Sequence, residues 1–145
     1  MIILNVAIIL FVLMESANVF ILYFAPDSKL GNGVAVFNPW FQSKDEESRE
    51  LFAKYMVNWV AGTKLIFIVL LLVILFTAGE TTKLFAVFAM IFSIATYYFR
   101  LNPIIKRLDE MDEINPKGYS KTLFHMITGF ILMFSLAAVI YFFIR

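Results

Sequence analysis

The chain has no cysteine among its 145 residues, so disulfides, thiol redox chemistry and thiolate metal sites are excluded, while nothing follows about compartment. Charge is scarce as well. Asp, Glu, Lys and Arg supply only 16% of the residues, against about 25% in a typical soluble domain. Twelve Lys and Arg stand against eleven Asp and Glu, a formal net charge of +1. A chain so balanced lacks the field that gathers a polyanion, and no nucleic-acid partner is expected. The first apolar run has no basic residue ahead of it and no small-residue cleavage pattern behind it, so it reads as a retained span and not as a removable signal.

What fills the space is apolar. Hydrophobic residues make up 61% and aromatics 17%, with a mean hydropathy of +0.84. This excess places the chain in a membrane, its first expected partner being the lipid bilayer. A helix crossing the hydrocarbon layer needs about 20 mostly apolar residues, and residues 2–25, 55–78, 84–101 and 122–144 meet or approach that length. The expected fold is a single all-α integral membrane domain, an antiparallel bundle of four transmembrane helices. Residues 77–83 hold only a tight turn, Gly79 being suited to end one helix and Thr81 or Thr82 to cap the next. The second and third spans are therefore expected to be antiparallel neighbours.

The other two connections share the opposite face and most of the positive charge. Lys29, Lys44, Arg49 and Lys54 belong to the first, and Arg100, Lys106, Arg107, Lys117 and Lys121 to the third, whereas the remaining face has Lys83 and Arg145. Under the positive-inside rule, loops 26–54 and 102–121 are expected in the cytoplasm and both termini outside it, in a multi-pass protein of the cell membrane. Tyr23, Trp40, Tyr55, Trp59, Tyr97, Tyr98 and Tyr119 fall near the basic face, as an interfacial aromatic belt would, or less simply a ligand cage.

Within the first connection, Gly31-Asn32-Gly33 is turn chemistry, and the following apolar stretch 34–41 is too short to span. It is expected to lie along the inner membrane surface. Ser43 followed by Glu46 has the spacing of a capping box, opening a helical extension that runs into the second span. The third connection carries Asp109, Glu110, Asp112 and Glu113. Their spacing is not that of an EF-hand loop, so a solvated charge run and no metal site is expected.

Polar residues inside the spans are the candidate site. Glu15 lies ten residues before Ala25 and Lys64 ten after Lys54, which puts both roughly 15 Å deep, near the bilayer midplane. A lone charge there costs about 2.5 to 3.5 kcal/mol on insertion scales, so the two are expected to meet as an intramembrane ion pair. Asn18 lies one turn from Glu15, and Asn58 and Lys64 flank Ala61 on one arc of the second span. Tyr97 and Arg100 on the third span and His125 on the fourth complete a polar set in the cytoplasmic half, the outer half being almost wholly apolar. The asymmetry points to a pocket open to the cytoplasm and closed above, and not to a through-pore. Helix glue is the structural alternative, since interhelical hydrogen bonds and ion pairs also fix register.

Three function classes are compatible with this pattern. The first is binding or transport of an amphiphilic or anionic small molecule, with Lys64 and Arg100 as anchors and homo-oligomers formed through the stripe Ala86, Ala89, Ser93. The second is a membrane enzyme. Four spans, outside termini and a polar site toward the cytoplasm resemble the MAPEG family of membrane glutathione transferases. In that family the second helix bears an Arg four residues before an Asn and an acid three residues after it. Lys54 and Asn58 keep the first spacing, with Lys in place of Arg and Ala61 in place of the acid. That resemblance covers topology and two positions, and implies glutathione as the cofactor. The third class is a non-catalytic interaction subunit. The residues name no cofactor or catalytic group by themselves.

Overall fold

The computed structural model describes residues 2–144, which form helices joined by turns with no strand among them. Met1 and Arg145, the latter counted above with the less basic face, lie outside the described residues. The elements are α1 (Ile2–Phe24), α2 (Asn38–Gln42), α3 (Glu47–Thr77), α4 (Glu80–Ala95), α5 (Tyr97–Arg100), α6 (Asn102–Glu110) and α7 (Tyr119–Ile144). Four helical stretches are long and apolar enough to cross a membrane: Ile2–Phe24, Glu47–Thr77, Glu80–Glu110 and Tyr119–Ile144.

Helix α1 is the central element, packed against α3 on one side and α7 on another, while α4 packs on α7 and also touches α1. Lipid offers no hydrophobic driving force between helices, so close approach and dispersion must hold them. Small residues allow the approach: Ala7, Ala61, Ala137 and Ala138 are all buried in the main core. Aromatics fill it, with Phe11 edge-on to Phe130 at 5.1 Å between ring centroids and 5.4 Å from the fully buried Phe134. By contrast α3 and α4, although joined only by Ala78 and Gly79, pack little against each other.

Several local expectations are corrected here. Gly79 does not end α3; it has φ −72° and stands at the N-cap of α4, whose first residue is Glu80. Residue Ser43 makes no capping box, because its hydroxyl donates to the Trp40 carbonyl at 2.7 Å and α3 starts at Glu47 without a side-chain cap. The helical extension into the second apolar stretch is present as one continuous 31-residue helix. The third stretch is longer than its apolar run and is broken twice. Thr96 turns its hydroxyl back on the Ser93 carbonyl at 2.6 Å, and Pro103 enters the first turn of α6 without an N–H to give.

The apolar stretch 34–41 folds back onto the helices and the third connection. Val36 is fully buried in a second core with Tyr97, Ile105, Ile114, Tyr119 and Leu123. Backbone pairing secures it: Asn38 N–H donates to the Glu113 carbonyl at 2.8 Å, and Asn115 N–H donates to the Val36 carbonyl at 2.8 Å. The first and third connections thus form one cap over the basic end. Gly33 must be glycine in this cap, since a Cβ there would lie 2.5 Å from the Ser28 carbonyl oxygen. The acidic run is also less solvated than expected. Asp109 accepts from the N–H groups of Gly118 at 2.8 Å and Ser120 at 3.2 Å, and from the Ser120 hydroxyl. These donors open α7, so Asp109 serves as its anionic N-terminal cap, and the helix begins three residues before the expected 122.

Candidate functional site

Lys64 on α3 reaches α1, with Nζ 2.8 Å from Glu15 Oε2 and 2.6 Å from Asn18 Oδ1. The three side chains belong to the face where the two helices pack. Neither charged group is sealed off, the side chains of Lys64 and Glu15 keeping 25% and 19% of their surface. An ammonium has no lone pair to offer, so it must face the oxygen of the Asn18 amide and leave the NH₂ group turned away. That Nδ2 is buried and has no hydrogen-bond partner.

A second polar pair stands on α5. Tyr97 is 5% exposed, yet its hydroxyl is buried without a partner. Arg100, one turn on, makes no ion pair among the described residues. Both line a cavity of about 560 Å³ whose other walls include Asn32, Phe37, Ser93, Ile94, Ile105 and Leu123. A cleft of about 620 Å³ lies between α3 and α4, bounded by Met56, Trp59, Val60, Lys64, Ser93 and Ile94 among others. Ser93 and Ile94 are walls of both. A third space of about 270 Å³ touches Asn18 and Lys64 and shares Asn32 and Phe37 with the first. The three spaces therefore adjoin through shared wall residues, the first and third beside Asn32 and Phe37 of the cap and the second between α3 and α4, and Lys64 and Arg100 are their only charged walls among the described residues.

The structure thus gathers Glu15, Asn18 and Lys64 directly, and places Tyr97 and Arg100 on the neighbouring cavity. Asn58 and His125 stand apart. Asn58 is on an exposed face of α3, and the exposed His125 on α7 has its ring against Phe124. The remaining α7 hydroxyl in this region, Thr128, is bonded to Tyr98 at 2.7 Å. Lys54, which with Asn58 carries the resemblance to membrane glutathione transferases, is paired with Glu50 at 2.7 Å. Sequence reasoning missed Asn32 and Phe37, which separate two of the spaces; the Gly31-Asn32-Gly33 turn marked the bend but not its fold back onto the helices. It also undercounted polar groups at the opposite end. There Asn5 has a buried Oδ1 without a partner, Lys83 is only 4% exposed, and the Tyr141 hydroxyl donates to Glu80 at 3.2 Å.

Electrostatics at the cap are local. Trp40 Nε1 and Lys44 Nζ both donate to Asp27 Oδ1 at 2.7 Å, and these bonds hold the Asp27 carboxyl below its usual range. On the far side of the cap, the Asp112 carboxylate raises the ammonium pKa of Lys117, 2.7 Å away. Among the described residues no group of three or more His, Cys, Asp or Glu is arranged to hold a metal ion.

No protein-family model matches the sequence, and no curated protein or solved structure matches it either.

Proposed function

We propose that this chain is a multi-pass membrane protein, an antiparallel four-helix bundle, that binds an amphiphilic or anionic small molecule between α3 and α4 and presents it to, or moves it toward, the cytoplasmic face. One observation carries the reading. The gap between α3 and α4 has Lys64 on an α3 wall that is otherwise Met56, Trp59, Val60, Phe67 and one hydroxyl, Thr63, so a cationic point and a largely lipid-like wall occur together. An amphiphile satisfies both when its chain lies along α3 past Lys64 and its anionic head is held where the cleft adjoins the neighbouring cavity at Ser93 and Ile94.

The orientation belongs to this proposal. Lys29, Lys44, Arg49, Lys54, Lys106, Arg107, Lys117 and Lys121 cluster on the capped end, which favours that end facing the cytoplasm and both termini facing outward. Chains of this size commonly work as assemblies, and Ala89 is exposed on α4 away from the cleft walls, leaving a small residue free for a second copy. Lys54 and Asn58 line none of the three spaces, so the glutathione-transferase-like alternative finds no support at the positions that suggested it.

The test is lipid retention. Protein purified in a mild detergent and analysed by native mass spectrometry should carry bound amphiphile, and replacing Val60 with Trp, which fills the cleft without touching a charge, should reduce the bound fraction several-fold. Full delipidation of the parent chain under the same conditions, with no rebinding on addition of lipid, contradicts the reading. Cys introduced at Lys44 or Lys117 should be shielded from an impermeant thiol reagent in intact cells; labelling there would reverse the orientation.

A further inference from the structure

We propose that the head of the bound amphiphile carries one negative charge on oxygen and sits on Tyr97 and Arg100, its chain passing Ser93 and Ile94 into the α3–α4 cleft. This rests on the amphiphile reading above and specifies its ligand class and pose.

Two features of the site choose the class. The first is charge arithmetic. Of the two cations lining the connected spaces, Lys64 is matched by Glu15 at 2.8 Å and further occupied by Asn18 at 2.6 Å, whereas Arg100 has no acidic partner among the described residues. One uncompensated positive charge remains. A singly charged head neutralises the exposed Arg100, while a doubly charged head would leave one negative charge without a partner. The second feature is donor supply. The Tyr97 hydroxyl is buried, unpartnered and on the same cavity as the Arg100 guanidinium. A phenol O–H and a guanidinium fork on the walls of one cavity suit an oxygen anion, the fork offering two parallel N–H donors and the phenol a third. A singly anionic phosphodiester lipid and a fatty-acid carboxylate share this head chemistry, a zwitterionic phosphodiester such as phosphatidylcholine lacks its net charge, and inorganic phosphate offers the oxygen anion without the chain.

Native mass spectrometry of the full chain distinguishes these sources. Lipids of identical acyl chains would be offered in turn: phosphatidylglycerol, phosphatidate and phosphatidylcholine, together with oleate and inorganic phosphate. Phosphatidylglycerol should bind about tenfold more tightly than phosphatidylcholine, the advantage expected of one charge-assisted hydrogen-bonded contact. Arg100→Gln should remove that preference, Arg100→Lys should restore part of it, and Tyr97→Phe, which deletes one oxygen, should lower it several-fold without changing phosphatidylcholine binding. Glu15→Gln leaves Lys64 unmatched and should move the preference toward phosphatidate. Oleate should compete with phosphatidylglycerol, and inorganic phosphate should not. Equal binding of phosphatidylglycerol and phosphatidylcholine, unchanged in the Arg100 and Tyr97 variants, overturns the head assignment and leaves the amphiphile reading standing. Displacement of phosphatidylglycerol by inorganic phosphate alone overturns the requirement for a chain. Failure of every lipid to bind the parent protein removes the amphiphile reading itself.

Discussion

Helix α3 has two flanks, and they are built differently. Toward α1 it presents a buried stripe, Ala61, Ile68, Leu71 and Leu75, that joins the main core. Ala61 and Gly62 let α1 come close; a Cβ at Gly62 would stand 3.3 Å from the Tyr23 hydroxyl. Toward α4 the same helix presents Met56, Trp59, Val60, Thr63 and Phe67, and these line an open cleft. The contrast shows that the α3–α4 gap does not come from poor packing residues in general. One flank has small residues in register with a partner, and the other has bulky side chains with a single ammonium among them. Lys64 sits at the seam, bonded across the closed flank and bordering the open one.

The largest effect should come from the core. Phe134 is fully buried against Phe11, and Phe134→Ala should cost about 2 to 4 kcal/mol, somewhat under the soluble-core range because the cavity and lost contacts remain while the transfer contribution is small when the alternative environment is lipid. On the open flank Val60→Ala should cost less than about 0.5 kcal/mol. Thermal or denaturant unfolding in one detergent compares them; equal losses would erase the distinction between the flanks.

Next comes the seam. Removing one partner of a partly buried pair leaves the other uncompensated, so Glu15→Gln or Lys64→Met alone should cost about 1 to 3 kcal/mol, while the double variant should lose less than the sum. Additive losses in the cycle would mean that the 2.8 Å contact contributes nothing to holding α1 on α3.

The cap walls two of the adjoining spaces through Asn32 and Phe37, so loosening it should widen access to them without unfolding the bundle. Asp109→Asn weakens the N-terminal cap of α7 by about 0.5 to 2 kcal/mol, and hydrogen exchange should rise at Gly118 and Ser120, whose N–H groups it holds. Uniform exchange across α7 would argue against a local role.

The smallest effect is a pH response at Asp27. Its folded pKa lies below the ordinary 3.8 because Lys44 and Trp40 bond to the carboxylate. A depressed acid contributes stability that is fully present above the unfolded pKa and is lost as pH falls through the folded one. Trp40 emission should therefore stay constant down to about pH 4 and change only below it, and Asp27→Asn should abolish the change. A transition near pH 6 would assign the titration elsewhere.

Much of the helical layout was legible because hydropathy acts over whole segments: the four long stretches appear where runs of apolar residues lie, with α1 ending one residue from its expected boundary. The ends were not legible, because they are set by contacts distant in sequence. Asp109 capping α7, and Val36 pairing with Asn115, join residues that no local pattern relates. For the site, depth counting put Glu15 and Lys64 at one level, and helical phase added Asn18. Counting cannot reveal which flank of a helix finds a partner, and so Asn58 and His125 were grouped with residues they do not meet.

The central claim is that the α3–α4 cleft holds an amphiphile that α3's other surfaces do not. A photoreactive residue placed in the cleft at Val60, and in parallel at Phe76, which is 80% exposed on the same helix, would trap neighbouring molecules in native membranes. The account predicts a defined anionic amphiphile on the cleft position, reduced several-fold by Lys64→Gln or Arg100→Gln, and bulk lipid in bilayer proportions on Phe76. The same bulk lipid at both positions, indifferent to Lys64 and Arg100, would contradict it.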